Sequence, residues 1–153
     1  MGSPLPNDDP GGKDKPARVV LVIEDNVADV FLLQEAFREY GLNVKLLVLD
    51  DGEKAVQWIK EANGAEGMEP PQVVVLDLNL PKRTGAEVLE QLRSTERFHD
   101  LPVIIFTSSN SYQDRSLASR FPATRFFQKS PDFDEFIRIG KVVKEVIDGA
   151  ETN

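Results

Sequence analysis

The chain has 153 residues, 41% of them hydrophobic and 29% charged, with a formal net charge of -8 and a pI near 4.7. That length suits one domain with a sizeable core, and the acidic balance repels nucleic acid and anionic lipid while suiting divalent cations and basic partner surfaces. The absence of cysteine excludes a disulfide framework and thiolate chemistry, the lone His99 argues against zinc, and no apolar stretch reaches the roughly 18 residues that span a bilayer.

Residues 1–16 hold four prolines among glycines, acids and lysines and cannot bury enough apolar surface to order, so a disordered tail is expected there. Pro6 stands where a myristoylation signal at Gly2 needs serine or threonine, and no basic-then-apolar leader is present. A soluble, cytoplasmic protein is the expectation. One domain is predicted over residues 17–149, with a short disordered tail at 150–153.

RVVLVI, Arg18 to Ile23, reads as a buried strand that stops at two acids, Glu24 and Asp25, with Asn26 placed to cap a helix. From Val27 to Tyr40 the apolar residues Val30, Leu33, Ala36 and Phe37 recur at helical spacing, and Gly41 closes the helix. A strand follows at Asn43–Leu49, and a helix from Glu53 to about Ala62 has Ala55, Val56 and Ile59 inward and Trp58 as ordinary packing. Asn63–Pro71 is a loop without periodicity, somewhat long for its place. VVVLDLNLP, from Val73 to Pro81, is the central strand. Its apolar run marks burial on both faces, and it ends at Asp77, with Asn79 close behind. Thr84 and Glu87 form a capping-box pattern for a helix reaching about Glu96, and His99 falls in a polar link. PVIIFT is the fourth strand, ending at Thr107. A helix at Tyr112–Arg120 and a strand at Thr124–Gln128 follow; that strand delivers Lys129, and a final helix runs from about Asp132 to Ile147.

Five strands alternating with five helices predict an α/β fold: a five-stranded parallel sheet in the order 2-1-3-4-5, the flavodoxin-like doubly wound three-layer sandwich. In that order the strands ending at Glu24 and Asp25, Asp77, Thr107 and Lys129 are consecutive neighbours. Each polar end alone has a dull explanation as a turn or cap. Four on adjacent strands, of complementary chemistry, place a functional site at the carboxyl edge of the sheet, where ligands collect in such folds.

IEDN after the first strand, LDLNLP after the third, FTSS after the fourth and FFQK after the fifth resemble the receiver domains of two-component response regulators, chemotaxis-Y-like in organisation. DLNLPKRTG and the long loop before the central strand resemble, more narrowly, the single-domain receivers that work with phytochrome-type kinases. The resemblance implies a phosphoacceptor at Asp77, with Mg²⁺ bound by Asp25, Asp77 and the main-chain carbonyl of Asn79 and by Glu24 through water. Thr107 and Lys129 hold phosphoryl oxygens, and Thr107 and Phe126 form a switch pair. It further implies a sensor histidine kinase as partner, bacteriophytochrome among the candidates, and a signalling protein that catalyses only its own phosphorylation and dephosphorylation. The few polar residues after the last helix carry no output domain, so the expected route is protein contact or phosphorelay. One departure stands out: the family's proline after the lysine is Ser130 here, with Pro131 next, so either Lys129–Ser130 is a cis peptide or the loop is rebuilt.

Three other readings are weaker. An aspartate-nucleophile phosphatase needs a second acid two residues after the nucleophile, where Asn79 cannot transfer a proton. A nucleotide-binding module lacks GxxxxGK[ST] and GxGxxG. A docking module that has lost phosphorylation conflicts with the complete set of site residues. Finally, Phe133, Phe136, Ile137, Gly140, Val143 and Ile147 form one stripe of the last helix, and Ile139, Val142 and Val146 a second. That is more apolar surface than one sheet face covers, so a symmetric homodimer through Ile139, Val142 and Val146 is expected.

Overall fold

The computed structural model describes residues 18–152, so the tail expected at residues 1–16 lies outside the described residues, as does Asn153. The strands are β1 (Arg18–Ile23), β2 (Val44–Leu49), β3 (Val73–Leu76), β4 (Val103–Thr107) and β5 (Thr124–Gln128), all parallel, in the order 2-1-3-4-5. The helices are α1 (Val27–Glu39), α2 (Gly52–Asn63), α3 (Gly85–Ser94), α4 (Tyr112–Arg120), α5 (Phe133–Phe136) and α6 (Ile139–Thr152), with a 3₁₀ turn at Glu96–Phe98. The predicted fold is the observed one.

The local reasons follow from the residues. Asn26 Oδ1 caps α1 by accepting from the Asp29 N–H at 3.1 Å, and Asp51 caps α2 through Lys54 N at 2.7 Å. Thr84 and Glu87 form the predicted capping box on α3, which satisfies the backbone donors of both residues. After α1, Gly41 takes a φ of +69°, a left-handed conformation that a β-carbon disfavours.

The sheet separates two cores. Leu21, Ile23, Val74, Leu76, Val103 and Ile105 point toward α2, α3 and α4, meeting Ile59, Val88, Leu89, Leu92 and Phe98. Val20, Val22, Val73, Val75, Ile104 and Phe106 point the other way, onto Leu33 and Phe37 of α1 and Ile139, Val143 and Ile147 of α6. Complete burial of each such aliphatic side chain contributes about 1.5–3 kcal/mol. Trp58 stacks on Phe98 with ring centroids 5.5 Å apart, the packing role expected of it. His99 is exposed and donates from Nδ1 to the Glu96 carbonyl. The 63–71 loop is tied down: the Arg97 guanidinium donates to the carbonyls of Ala62 (2.8 Å), Ala65 (2.7 Å) and Met68.

The last helix differs from expectation. It breaks after Phe136, where Arg138 N bonds to Glu135 O, Gly140 N to Ile137 O and Lys141 N to Arg138 O, each three residues back. That tightened turn shifts the helical phase. Phe133, expected inward, is 53% exposed, and Ile139, expected on an outer dimer face, is fully buried in this chain's own core. Val142 and Val146 keep part of their surface. α6 also runs to Thr152, where a tail was expected from residue 150.

Candidate functional site

Parallel pairing brings the strand ends into one row. Ile23 pairs with Leu76 and Leu76 with Ile105, while Thr107 pairs with Gln128, so the residues following these strands share one edge of the sheet. Backbone bonds continue the ladder past the apolar runs: Asp77 N donates to Ile23 O at 3.0 Å and Lys129 N to Thr107 O at 2.8 Å. Glu24 and Asp77 are buried, Asp25 is exposed, and one carboxylate oxygen from each lies within 4.8 Å of the others. Each buried acid is oriented by a backbone donor two residues on, Asn26 N to Glu24 Oε2 and Asn79 N to Asp77 Oδ1, both at 3.1 Å. Gly85 opens α3 against this strand end: a β-carbon there would stand 2.3 Å from the Asp77 carbonyl oxygen, so only glycine permits the approach.

Lys129 closes the cluster. Its side chain is 8% exposed, and Nζ lies 2.6 Å from Glu24 Oε1, 2.7 Å from Asp29 Oδ2 and 3.2 Å from Asp77 Oδ2. Burial pushes the Glu24 carboxyl up to about 7; the hydrogen bond from Lys129 opposes this and the Asp77 charge adds to it. Burial works against the Lys129 ammonium, but its bonds to Asp29 and Glu24 and the Asp77 charge outweigh that and hold it above the ordinary lysine range. Asp29 was missed in the sequence. The available signal was its place three residues beyond the Asn26 cap, in the first turn of α1, facing the same rim.

Thr107 is fully buried, and its hydroxyl oxygen accepts from Ser109 N at 3.3 Å. Ser109 bonds to Asp114, Asn110 Oδ1 accepts from Arg115 Nη1 at 3.1 Å, and the Arg115 guanidinium lies 4.9 Å from the Phe126 ring centroid. Phe126 is partly buried against the core facing α2, α3 and α4. No cis peptide occurs among the described residues, so the departure at Ser130 takes the rebuilt form. Ser130 Oγ donates to Glu135 Oε2 at 2.9 Å and accepts from Asp132 N at 3.1 Å.

The donor set suits a hard divalent cation: three carboxylates converge, and one is open to solvent for the waters that Mg²⁺ retains. Four exposed apolar side chains stand near this rim on the first turns of their helices or one turn on: Val27 and Phe31 of α1, Tyr112 of α4 and Phe133 of α5.

A doubly wound parallel sheet with acids ending β1 and β3, threonine ending β4 and lysine following β5 defines a signalling receiver. The chain belongs to the response regulator receiver domain family, whose model matches residues 20–140. It is 33% identical over 127 residues to the "Probable methanogenesis regulatory protein FilR2" of Methanothrix harundinacea (strain 6Ac), covering 83% of this chain and 81% of that protein. It is 28% identical over 127 residues to the response regulator Rcp1 of Synechocystis sp. (strain PCC 6803), covering 83% and 86%. The fold is similar to a crystal structure described as the phosphorylated cyanobacterial phytochrome response regulator RcpA, with a TM-score of 0.76, 25% identity and coverage of 88% of this chain and 96% of that one. It is also similar to the Mn(2+)-bound form of Rcp1, with a TM-score of 0.73, 26% identity and coverage of 84% and 92%.

Proposed function

We propose that this receiver domain acts as a stand-alone, cytoplasmic response regulator, accepting a phosphoryl group on Asp77 from a sensor histidine kinase of phytochrome type. The observation that carries the reading is the convergence on Asp77: Lys129 Nζ lies 3.2 Å from its carboxylate, and Glu24 and Asp25 complete an acidic cluster beside it. In the transfer, an Asp77 oxygen forms the new P–O bond in line as the donor's P–N bond breaks, and the electron pair remains on the imidazole nitrogen. Lys129 and the Thr107 hydroxyl then hold phosphoryl oxygens, suiting a transition state whose charge is spread over them. A cation held by Asp25, Asp77 and the Asn79 carbonyl, with Glu24 through water, would supply neutralisation of the charge that otherwise repels the incoming phosphoryl group. Mg²⁺ is the proposed ion, and the Mn(2+)-bound form of the similar Rcp1 supports a divalent site.

The donor class rests on the similarity to RcpA, described as a phytochrome response regulator. Val27, Phe31 and Phe133 supply an apolar rim on which a histidine-bearing helix can rest while its side chain reaches the acidic centre. Incubation of the metal-supplemented protein with acetyl phosphate tests the acceptor directly. Intact-mass spectrometry should show one phosphoryl adduct on the wild type and none on Asp77→Asn; an undiminished adduct on that variant refutes the assignment.

A further inference from the structure

The divalent-cation reading, on which this inference rests, raises a conflict within the site. Glu24 and Asp77 belong to the carboxylate cluster that suits the cation, yet the same two acids bind the Lys129 ammonium. A cation drawing on both acids repels that ammonium. Lys129 has little access to water as an escape, because its side chain is 8% exposed and Nζ lies 5.2 Å from the Phe106 ring centroid. A buried ammonium stripped of its anionic partners is costly.

One carboxylate resolves the conflict. Asp29 binds Lys129 Nζ at 2.7 Å, closer than Asp77 does, and stands outside the Glu24–Asp25–Asp77 cluster. It is held ready: the first turn of α1 is fixed by the bond from Asp29 N to Asn26 Oδ1, which leaves the Asp29 carboxylate free to face the lysine. We propose that Asp29 is a positioning residue that keeps Lys129 paired and set aside on the α1 side of the site, so that a divalent cation and the lysine occupy the site together. Asp29 thereby acts on metal affinity through Lys129 and not as a ligand.

A double-mutant cycle on the full chain, stripped of metal and titrated calorimetrically with Mg²⁺, tests this. Asp29→Asn should weaken Mg²⁺ binding by about tenfold, the scale of losing a supporting group behind a metal site. In the Lys129→Met background, where no ammonium needs a partner, the same substitution should change affinity by less than about twofold. Equal losses in the two backgrounds would show a plain charge effect and overturn the proposal, as would unchanged affinity in Asp29→Asn alone. Asp25→Ala separates the two levels of argument. If it binds Mg²⁺ as the wild type does, the metal assignment itself fails; if it is impaired while the cycle shows no coupling, only the role of Asp29 fails. Far-ultraviolet circular dichroism of each variant verifies that the compared proteins are folded.

Discussion

Glu24 is held in a state that its unfolded counterpart does not share. Its folded pKa of about 7 lies above the ordinary 4.5, so between those values the folded protein binds the proton that the unfolded chain has released. Stability from this group is therefore fully present below about pH 4.5 and is lost as pH rises through about 7, by at most about 3 kcal/mol. In metal-free buffer, the thermal midpoint of the wild type relative to Glu24→Gln should fall between pH 5 and pH 8, and a flat difference would show that burial does not hold the proton there. Mg²⁺ affinity should weaken over the same range as pH falls, because proton and cation compete for one carboxylate. The acids, threonine and lysine at the strand ends were legible because a strand that stops on a polar residue announces its rim side chain. Asp29 was not, because an acid in the first turn of a helix has a sufficient local reason to be there, and its reach to a lysine 100 residues away exists only once the sheet has formed.

Among the elements, the 63–71 loop shows how one side chain can replace secondary structure. Arg97 joins the carbonyl of Ala62, at the end of α2, to those of Ala65 and Met68 in the loop, adding a charged donor to the turn bonds that Ala65 N and Met68 N make to the first two, and Met68 packs on the core beneath. Arg97→Ala should destabilise the protein by about 1–3 kcal/mol, the scale of losing hydrogen bonds from a charged donor, and hydrogen exchange should accelerate at residues 62–70 while the β3 amides keep their protection. Uniform acceleration would mean that the staple holds the whole domain and not the loop. Loop length and composition read correctly as non-periodic, but no short-range pattern links Arg97 to residues about 30 positions earlier. The final helix was misread for a different reason. A helical wheel assumes an unbroken 3.6-residue phase, and the three-residue bonds between Glu135 and Lys141 reset it, sending Phe133 outward and Ile139 inward.

For the whole molecule, that rotation narrows the expected self-association surface to Val142, which lines a cavity with Phe127, Gln128 and Glu145, and Val146, which lines a second one with Thr124, Arg125 and Glu145. A symmetric dimer through this face should become monomeric in Val142→Glu by light scattering after size exclusion; a monomeric wild type, or a dimer indifferent to the charge, removes the surface from consideration. Sheet order was legible because the alternation of strands and helices admits few right-handed windings, whereas quaternary state depends on which apolar residues the fold has already consumed. Strand β3 carries a last consequence. Val73 and Val75 enter one core, Val74 and Leu76 the other, and Asp77 follows immediately. Length along this stretch is therefore counted by parity. One inserted residue exchanges the occupants of the two cores, and two restore the alternation but carry Asp77 about 7 Å along the strand direction, out of register with Lys129. A change of length in the 63–71 loop leaves this parity intact, but one within the four residues of β3 does not.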